Sequence, residues 1–194
     1  LHLCVKNLEN ISALDKINND TLLADVCLAA KYEGESIRGY YALYDTQYPS
    51  SGSTICTALA RSFADIGDII RGKDLYLGYD DKEKNRRQQL DKKLKEIFKN
   101  IYDNLDKKDR YKEDPDKNYY KLREDWWIAN RHTVWEAITC SAATGNKYFR
   151  ATCDSDDNEK HSTLASNKCR CDGRNGTNAH QVPTYFDYVP QYLR

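Results

Sequence analysis

The chain has 194 residues, enough for one sizeable core or two small ones. Its 30 basic and 30 acidic residues cancel, so no global charge points to nucleic acid, and polyanion binding would need a local patch. Charged residues make up 31% of the chain, and no window approaches the roughly 18 apolar residues of a membrane span, so none is expected within it.

Residues 1–18 form an entry segment with no signal-peptide pattern at Leu1. The chain lacks Met, opens on Leu-His-Leu-Cys and stops at Gln-Tyr-Leu-Arg, as expected of a piece cut from a longer polypeptide. Residues 19–148 carry four helical patterns. In the first, Leu22, Val26, Ala30, Glu33, Ile37, Tyr41, Tyr44 and Tyr48 fall at helical spacing, one apolar stripe interrupted only by Glu33. Asn19 or Asp20 can cap its start, Pro49-Ser50-Ser51-Gly52 ends it, and Gly34 marks a weak point where a kink is expected. Ser53 or Thr54 can cap the second helix. Its stripe of Ile55, Leu59, Phe63, Ile66 and Ile70 is the most apolar, and Gly72 sits where a C-terminal cap belongs. The third runs from Lys82 to Asp109, with Leu90, Leu94, Ile97, Ile101 and Leu105 facing inward. Asp114-Pro115 reads as a cap followed by proline at the first helical position. It opens a fourth helix that carries Trp126, Trp127, Val134, Trp135 and Ile138 and can stop at Gly145.

Residues 149–183 differ in character: polar residues dominate and three of the seven cysteines, Cys153, Cys169 and Cys171, lie there. A long loop held by crosslinks rather than by a core is expected. Residues 184–194 regain apolar character and read as the start of a further helix. No alternating strand pattern of useful length occurs. The predicted architecture is therefore all-α: a single unit over 1–194, a disulfide-braced helical bundle with a long cysteine-containing loop. Seven cysteines favour disulfides and an oxidising compartment. The odd count leaves one thiol over, and Cys4, close to the first residue, is the candidate for a partner outside the chain.

The chemistry-bearing residues favour binding over catalysis. Cys153, Cys169, Cys171 and His180, with His161 in reserve, could offer soft zinc ligands, but the paired CxxC knuckles of a structural zinc site are missing. Neither Gly-x-Ser-x-Gly nor His-Glu-x-x-His occurs, and Gly72-Lys73 lacks the rest of a phosphate loop. His132, between tryptophans, reads as a helix-face histidine satisfied by local bonds. No enzymatic activity, metal or cofactor is expected. The strongest local feature is the third helix with its flanks: Lys82, Lys84, Arg86, Arg87, Lys92, Lys93, Lys95, Lys99, Lys107, Lys108, Arg110 and Lys112. Sulfated sugars need several cations within a Debye length, roughly 8 Å at physiological salt. Guanidinium groups such as those of Arg86 and Arg87 match sulfate bidentately. Ten acids share residues 80–114 with these twelve bases, so a solvated ion-paired face is the competing interpretation. The tryptophans fit a packed core better than a sugar-stacking platform.

Three long blocks carry a resemblance. They are Ile55-Cys56-Thr57-Ala58-Leu59-Ala60-Arg61-Ser62-Phe63-Ala64-Asp65-Ile66-Gly67-Asp68-Ile69-Ile70-Arg71-Gly72-Lys73-Asp74, then Arg123-Glu124-Asp125-Trp126-Trp127 through Trp135-Glu136-Ala137-Ile138-Thr139-Cys140, and Val182 to Arg194. Together they resemble, essentially end to end, the Duffy-binding-like domain, alpha class, of Plasmodium falciparum erythrocyte membrane protein 1. The resemblance implies the middle, helical subdomain of a three-part adhesion domain on the extracellular face of the infected erythrocyte membrane, within a larger membrane-anchored protein. The implied partners are host red-cell or endothelial glycans (heparan sulfate, blood-group sugars) and receptors, antibodies, and the neighbouring subdomains; rosetting and antigenic variation come with the family. Nucleic acid and direct membrane insertion are not implied. The alternative is a structural, antibody-facing scaffold whose receptor contacts lie elsewhere in the parent protein. By resemblance Cys4 pairs back into the first subdomain, and Cys56 pairs with Cys153. Cys27 and Cys140 could pair across two packed helices, leaving Cys169 and Cys171 to pair together or to exchange with the other pairs.

Overall fold

A computed structural model describes residues 3–47, 54–75, 80–112, 118–153, 163–171 and 181–194. A short α1 (Lys6–Glu9) leads into the long α2 (Asn19–Gln47), followed by α3 (Ile55–Arg71), α4 (Asp81–Asp103) and α5 (Tyr120–Ile138). The cap of α2 lies one residue before the two expected. The Asn18 Oδ1 accepts from the backbone N–H groups of Asp20 and Thr21, and the Asn18 N–H donates to the Thr21 hydroxyl at 2.8 Å. Leu22, Val26, Ala29 and Ala30 are fully buried. Glu33, the one break in the stripe, is buried too: its carboxylate accepts from the Ser62 hydroxyl at 2.8 Å and from the Cys4 N–H at 2.9 Å. It ties the entry segment and α3 to α2. Gly34 has a packing role in place of the expected kink, because α2 is continuous through it and a Cβ there would stand 2.0 Å from the Ile138 carbonyl oxygen of α5.

α3 follows its sequence closely. Thr54 caps it through the Thr57 N–H, and Gly72 closes it in the left-handed conformation at φ 72°. Its phenylalanine, Phe63, meets Trp127 and Trp135 at ring distances of 5.1 and 5.2 Å, and Trp126 stacks edge-on to Phe98. The tryptophans are therefore core residues. At the C-terminus of α3 the buried Arg123 guanidinium donates to the Ile69 and Ile70 carbonyls, the former also accepting from the Gly72 N–H.

α4 stops at Asp103 rather than at Asp109. The Asn104 side chain bonds back to the Asn100 carbonyl, and past Leu105 no apolar residue arrives in time to hold another turn on the core. The expected Asp114-Pro115 start of the last helix lies outside the described residues, and α5 begins at Tyr120 after Tyr119, whose φ is 58°. Residues 151–153 (β1) and 163–164 (β2) form a small antiparallel pair that the sequence pattern did not suggest, being too short to show alternation. Residues 184–194 form two single 3-10 turns, 186–188 and 191–193, separated by Pro190, where a helix was expected to begin.

The crosslinks correct the pairing implied by resemblance. Cys56 is bonded to Cys169, and Cys153 to Cys171. The positive φ values of Lys168 and Cys169 turn the chain back toward the bundle, where the Cys169 carbonyl accepts from the Trp135 indole N–H. Cys169 therefore reaches α3, while β1 delivers Cys153 to Cys171. The wide bridge closes 113 residues and the narrow one 18, which in the chain-entropy treatment contribute about 5 and about 3 kcal/mol. Cys27 and Cys140 do not pair; both are half-buried free thiols, as is Cys4. Burial, with the Glu136 charge beside it, pushes the Cys27 thiol up to about 11.

Candidate functional site

The twelve cations of α4 and its flanks do not share one surface. Seven are engaged internally. Lys93 donates to the Glu9 and Ile11 carbonyls of the entry segment, and Lys95 to the Asn118 side chain. Arg87 pairs with Asp74 at 3.3 Å, and Lys99 with Asp103. Lys108 donates to the Asp103 carbonyl, Arg110 grips Asp125 with two bonds of 2.7 and 3.0 Å, and Lys112 pairs with Asp109. These contacts hold the Asp125 and Asp103 carboxyls below the usual range, through hydrogen bonds from Arg110 and Lys99. At exposed positions such pairs add little stability, but they occupy the cations that make them.

The other five, Lys82, Lys84, Arg86, Lys92 and Lys107, are exposed and carry no ion pair or hydrogen bond among the described residues. Helical spacing sorts them. Lys84 and Lys92, with Gln88 between them, lie one above another along one flank of α4. There they border a cleft of about 320 Å³ whose floor is Ile69, Gly72 and Leu90. Its two acids are already neutralised, Asp74 by Arg87 and Asp91 by Arg123, so the free charge facing the cleft is positive. Arg86 lies about 100° around the helix from Arg87. It borders a second, smaller cleft of about 190 Å³ with Lys6, Glu9 and Glu83, next to the entry segment. Arg87 lines both clefts, and Lys107 stands apart beyond the end of α4. Gln88 and Gly72 were missed by charge-based selection; the spacing of Lys84, Gln88 and Lys92 was the available signal.

No cluster of metal-ligating side chains occurs among the described residues. Cys153, Cys169 and Cys171 are all spent in disulfides, and His161 and His180 lie outside the described residues. No described helix is long and apolar enough to cross a membrane. The C-terminal segment is anchored by charge. Asp187 accepts two bonds from Arg131 at 2.8 Å and one from the Trp127 indole N–H, and Arg194 reaches Asp65 and Asp68 of α3. Burial pushes the Asp65 carboxyl up to about 6, against the opposing pull of Arg194.

The family profile described as the Duffy binding domain matches residues 1–194. Among solved structures, the chain is similar to the N-terminal NTS-DBL1-alpha and CIDR-gamma double domain of PfEMP1 from the Plasmodium falciparum varO strain. That match has 40% identity and a TM-score of 0.67, and covers 99% of this chain and 25% of that one. It is also similar to the ICAM-1-binding IT4var13 DBLbeta domain of PfEMP1, at 34% identity and a TM-score of 0.67 over 100% of this chain and 39% of that one. A further DBLb domain of PfEMP1, bound to human ICAM-1, matches at 31% identity and a TM-score of 0.62, over 99% of this chain and 36% of that one. The chain thus spans a quarter to two fifths of the chains it matches. No curated protein sequence matches it.

Proposed function

The chain belongs to the Duffy binding domain family, a family of adhesion domains rather than enzymes, and from that premise we propose that it contributes to host-cell adhesion by holding a sulfated glycan along α4. In this proposal it works on the surface of the infected erythrocyte, as part of a larger variant antigen. One observation carries the choice of site: Lys84 and Lys92 are exposed and without a partner among the described residues on one flank, beside a cleft whose own acids are neutralised from within. Sulfate or carboxylate groups would meet Lys84 and Lys92, Gln88 would supply hydrogen bonds, and Arg86 and Lys82 would extend the track on the other side. Lys93, Lys95, Lys99, Lys108, Arg110 and Lys112 contribute little, because their heads are already engaged.

The test is heparin affinity chromatography at physiological salt. Lys84→Gln with Lys92→Gln should weaken retention by about two- to thirtyfold, since each of the two exposed contacts carries about 0.2–1 kcal/mol. Lys99→Gln with Lys108→Gln should leave it unchanged. Elution far below physiological salt, or equal loss in both variants, would refute the site. The scaffold alternative is favoured by a different observation: three of the engaged cations, Lys93, Lys95 and Arg110, bind the region of α4 to the entry segment, to Asn118 and to α5. It expects no host-receptor binding from this chain and full binding from the longer parent domain, with the Cys153–Cys171 tether presenting its loop to antibodies.

A further inference from the structure

Away from α4, a cleft of different chemistry lies between β1 and the C-terminal segment. Tyr148, Phe149, Pro183, Tyr185 and Phe186 line a groove of about 240 Å³. The Tyr148 and Phe149 rings lie 4.9 Å apart, and Phe149 and Tyr185 are 51% and 58% exposed. Two aromatic faces are thus held open to water, where an exposed apolar patch marks a contact site more often than a neutral surface.

The hydroxyls of the groove decide what it can hold. The Tyr148 hydroxyl is bonded to the Thr184 hydroxyl at 3.1 Å, which also accepts from the Phe186 N–H at 3.2 Å. The Thr152 hydroxyl donates to the Pro183 carbonyl at 2.7 Å. A saccharide needs several directional hydrogen bonds, and the Tyr148, Thr152 and Thr184 hydroxyls already bond within the protein, which leaves the Tyr185 hydroxyl as the one lining the groove without a bond among the described residues. An apolar side chain needs none. Aromatic-lined grooves suit extended proline-bearing segments, which lose little entropy on docking. The rim adds a sign. The Arg150 guanidinium, which lines the groove, lies 5.4 Å over the Phe149 ring and has no carboxylate partner among the described residues.

We propose that this aromatic groove binds an extended acidic segment of a partner protein, seating its proline or leucine side chains on Phe149 and Tyr185 and a carboxylate on Arg150. The surface is separate from the basic flank of α4, so the two can succeed or fail independently.

The test uses the whole disulfide-intact chain and two-dimensional amide NMR. The probe is an acetylated dodecapeptide of three proline-leucine-proline-glutamate repeats. Its counterpart carries lysine in place of glutamate, and 3′-sialyllactose represents the glycan class. The acidic peptide should give saturable shifts confined to residues 147–152 and 183–189. Phe149→Ser or Tyr185→Ser, both at exposed positions, should weaken it by about tenfold. Arg150→Glu should weaken it by about threefold or more and improve the lysine peptide. No saturation at millimolar peptide would overturn the proposal. So would indifference to Phe149→Ser in a variant with unchanged circular dichroism, or saturation of the same residues by sialyllactose.

Discussion

Replacing Gly34 by alanine should destabilise the protein, whereas the same change at Gly39, five residues along the same helix, should stabilise it. A Cβ at position 34 would stand 2.0 Å from the Ile138 carbonyl oxygen and 3.0 Å from its carbonyl carbon. Both are backbone atoms in the last turn of α5 and cannot rotate aside. Restoring an ordinary contact would force α2 and α5 apart by roughly 1 Å, enough to forfeit a quarter to a half of the dispersion energy where they touch. Overpacking against a rigid neighbour costs about 3 kcal/mol at the upper end of its range. Removing glycine's helix penalty returns about 1 kcal/mol, leaving a net loss of about 2 kcal/mol. At Gly39 nothing lies within 4 Å, so only the gain of about 1 kcal/mol remains. For a chain of this size each kcal/mol moves Tm by about 2–4 °C. Thermal unfolding followed by circular dichroism, with the disulfides intact, should therefore show Gly34→Ala lower by about 4–8 °C and Gly39→Ala higher by about 2–4 °C. A Gly34→Ala protein as stable as the parent, or two shifts of the same sign, would refute the close helix crossing.

Two further outcomes follow from the charges and the crosslinks. Asp65 is raised to about 6 in the folded chain, whereas an unfolded aspartate titrates near 3.9. Its folded form takes up a proton that the unfolded chain does not, so its contribution to stability is greatest below pH 4 and is lost as pH rises through about 6. Asp65→Asn removes that dependence: in urea unfolding, its advantage over the parent should grow from pH 5 to pH 7, and a constant difference would contradict the raised carboxyl. Non-reducing peptide mapping should recover Cys56 linked to Cys169 and Cys153 linked to Cys171, with Cys27 unlinked and slow to react with iodoacetamide at pH 8, accelerating as pH approaches 11. A Cys56–Cys153 peptide would restore the pairing implied by family resemblance.

Much of the bundle was legible because helix stripes and caps are local. Ile55 to Ile70, Thr54 and Gly72 specify α3 from within one stretch of chain, and the tryptophans of α5 fall on the face that meets it. Glu33 looked like a flaw in the stripe of α2, since its partners Ser62 and Cys4 are each 29 residues away. The same limit governs the candidate site. Twelve cations could be counted along 82–112, but which of them are free depends on the Glu9 and Ile11 carbonyls, Asn118 and Asp125, groups that only folding brings near.

The sequence by itself determined a charged, helical, disulfide-braced chain of the Duffy binding type, because periodicity, caps and long motif blocks are written in consecutive residues. Only the tertiary structure decided the cysteine partners, because pairing depends on where Lys168 and Cys169 turn the loop back and not on spacing. It alone also separated the engaged cations of α4 from Lys84 and Lys92, because a charge is free only when no folded neighbour reaches it.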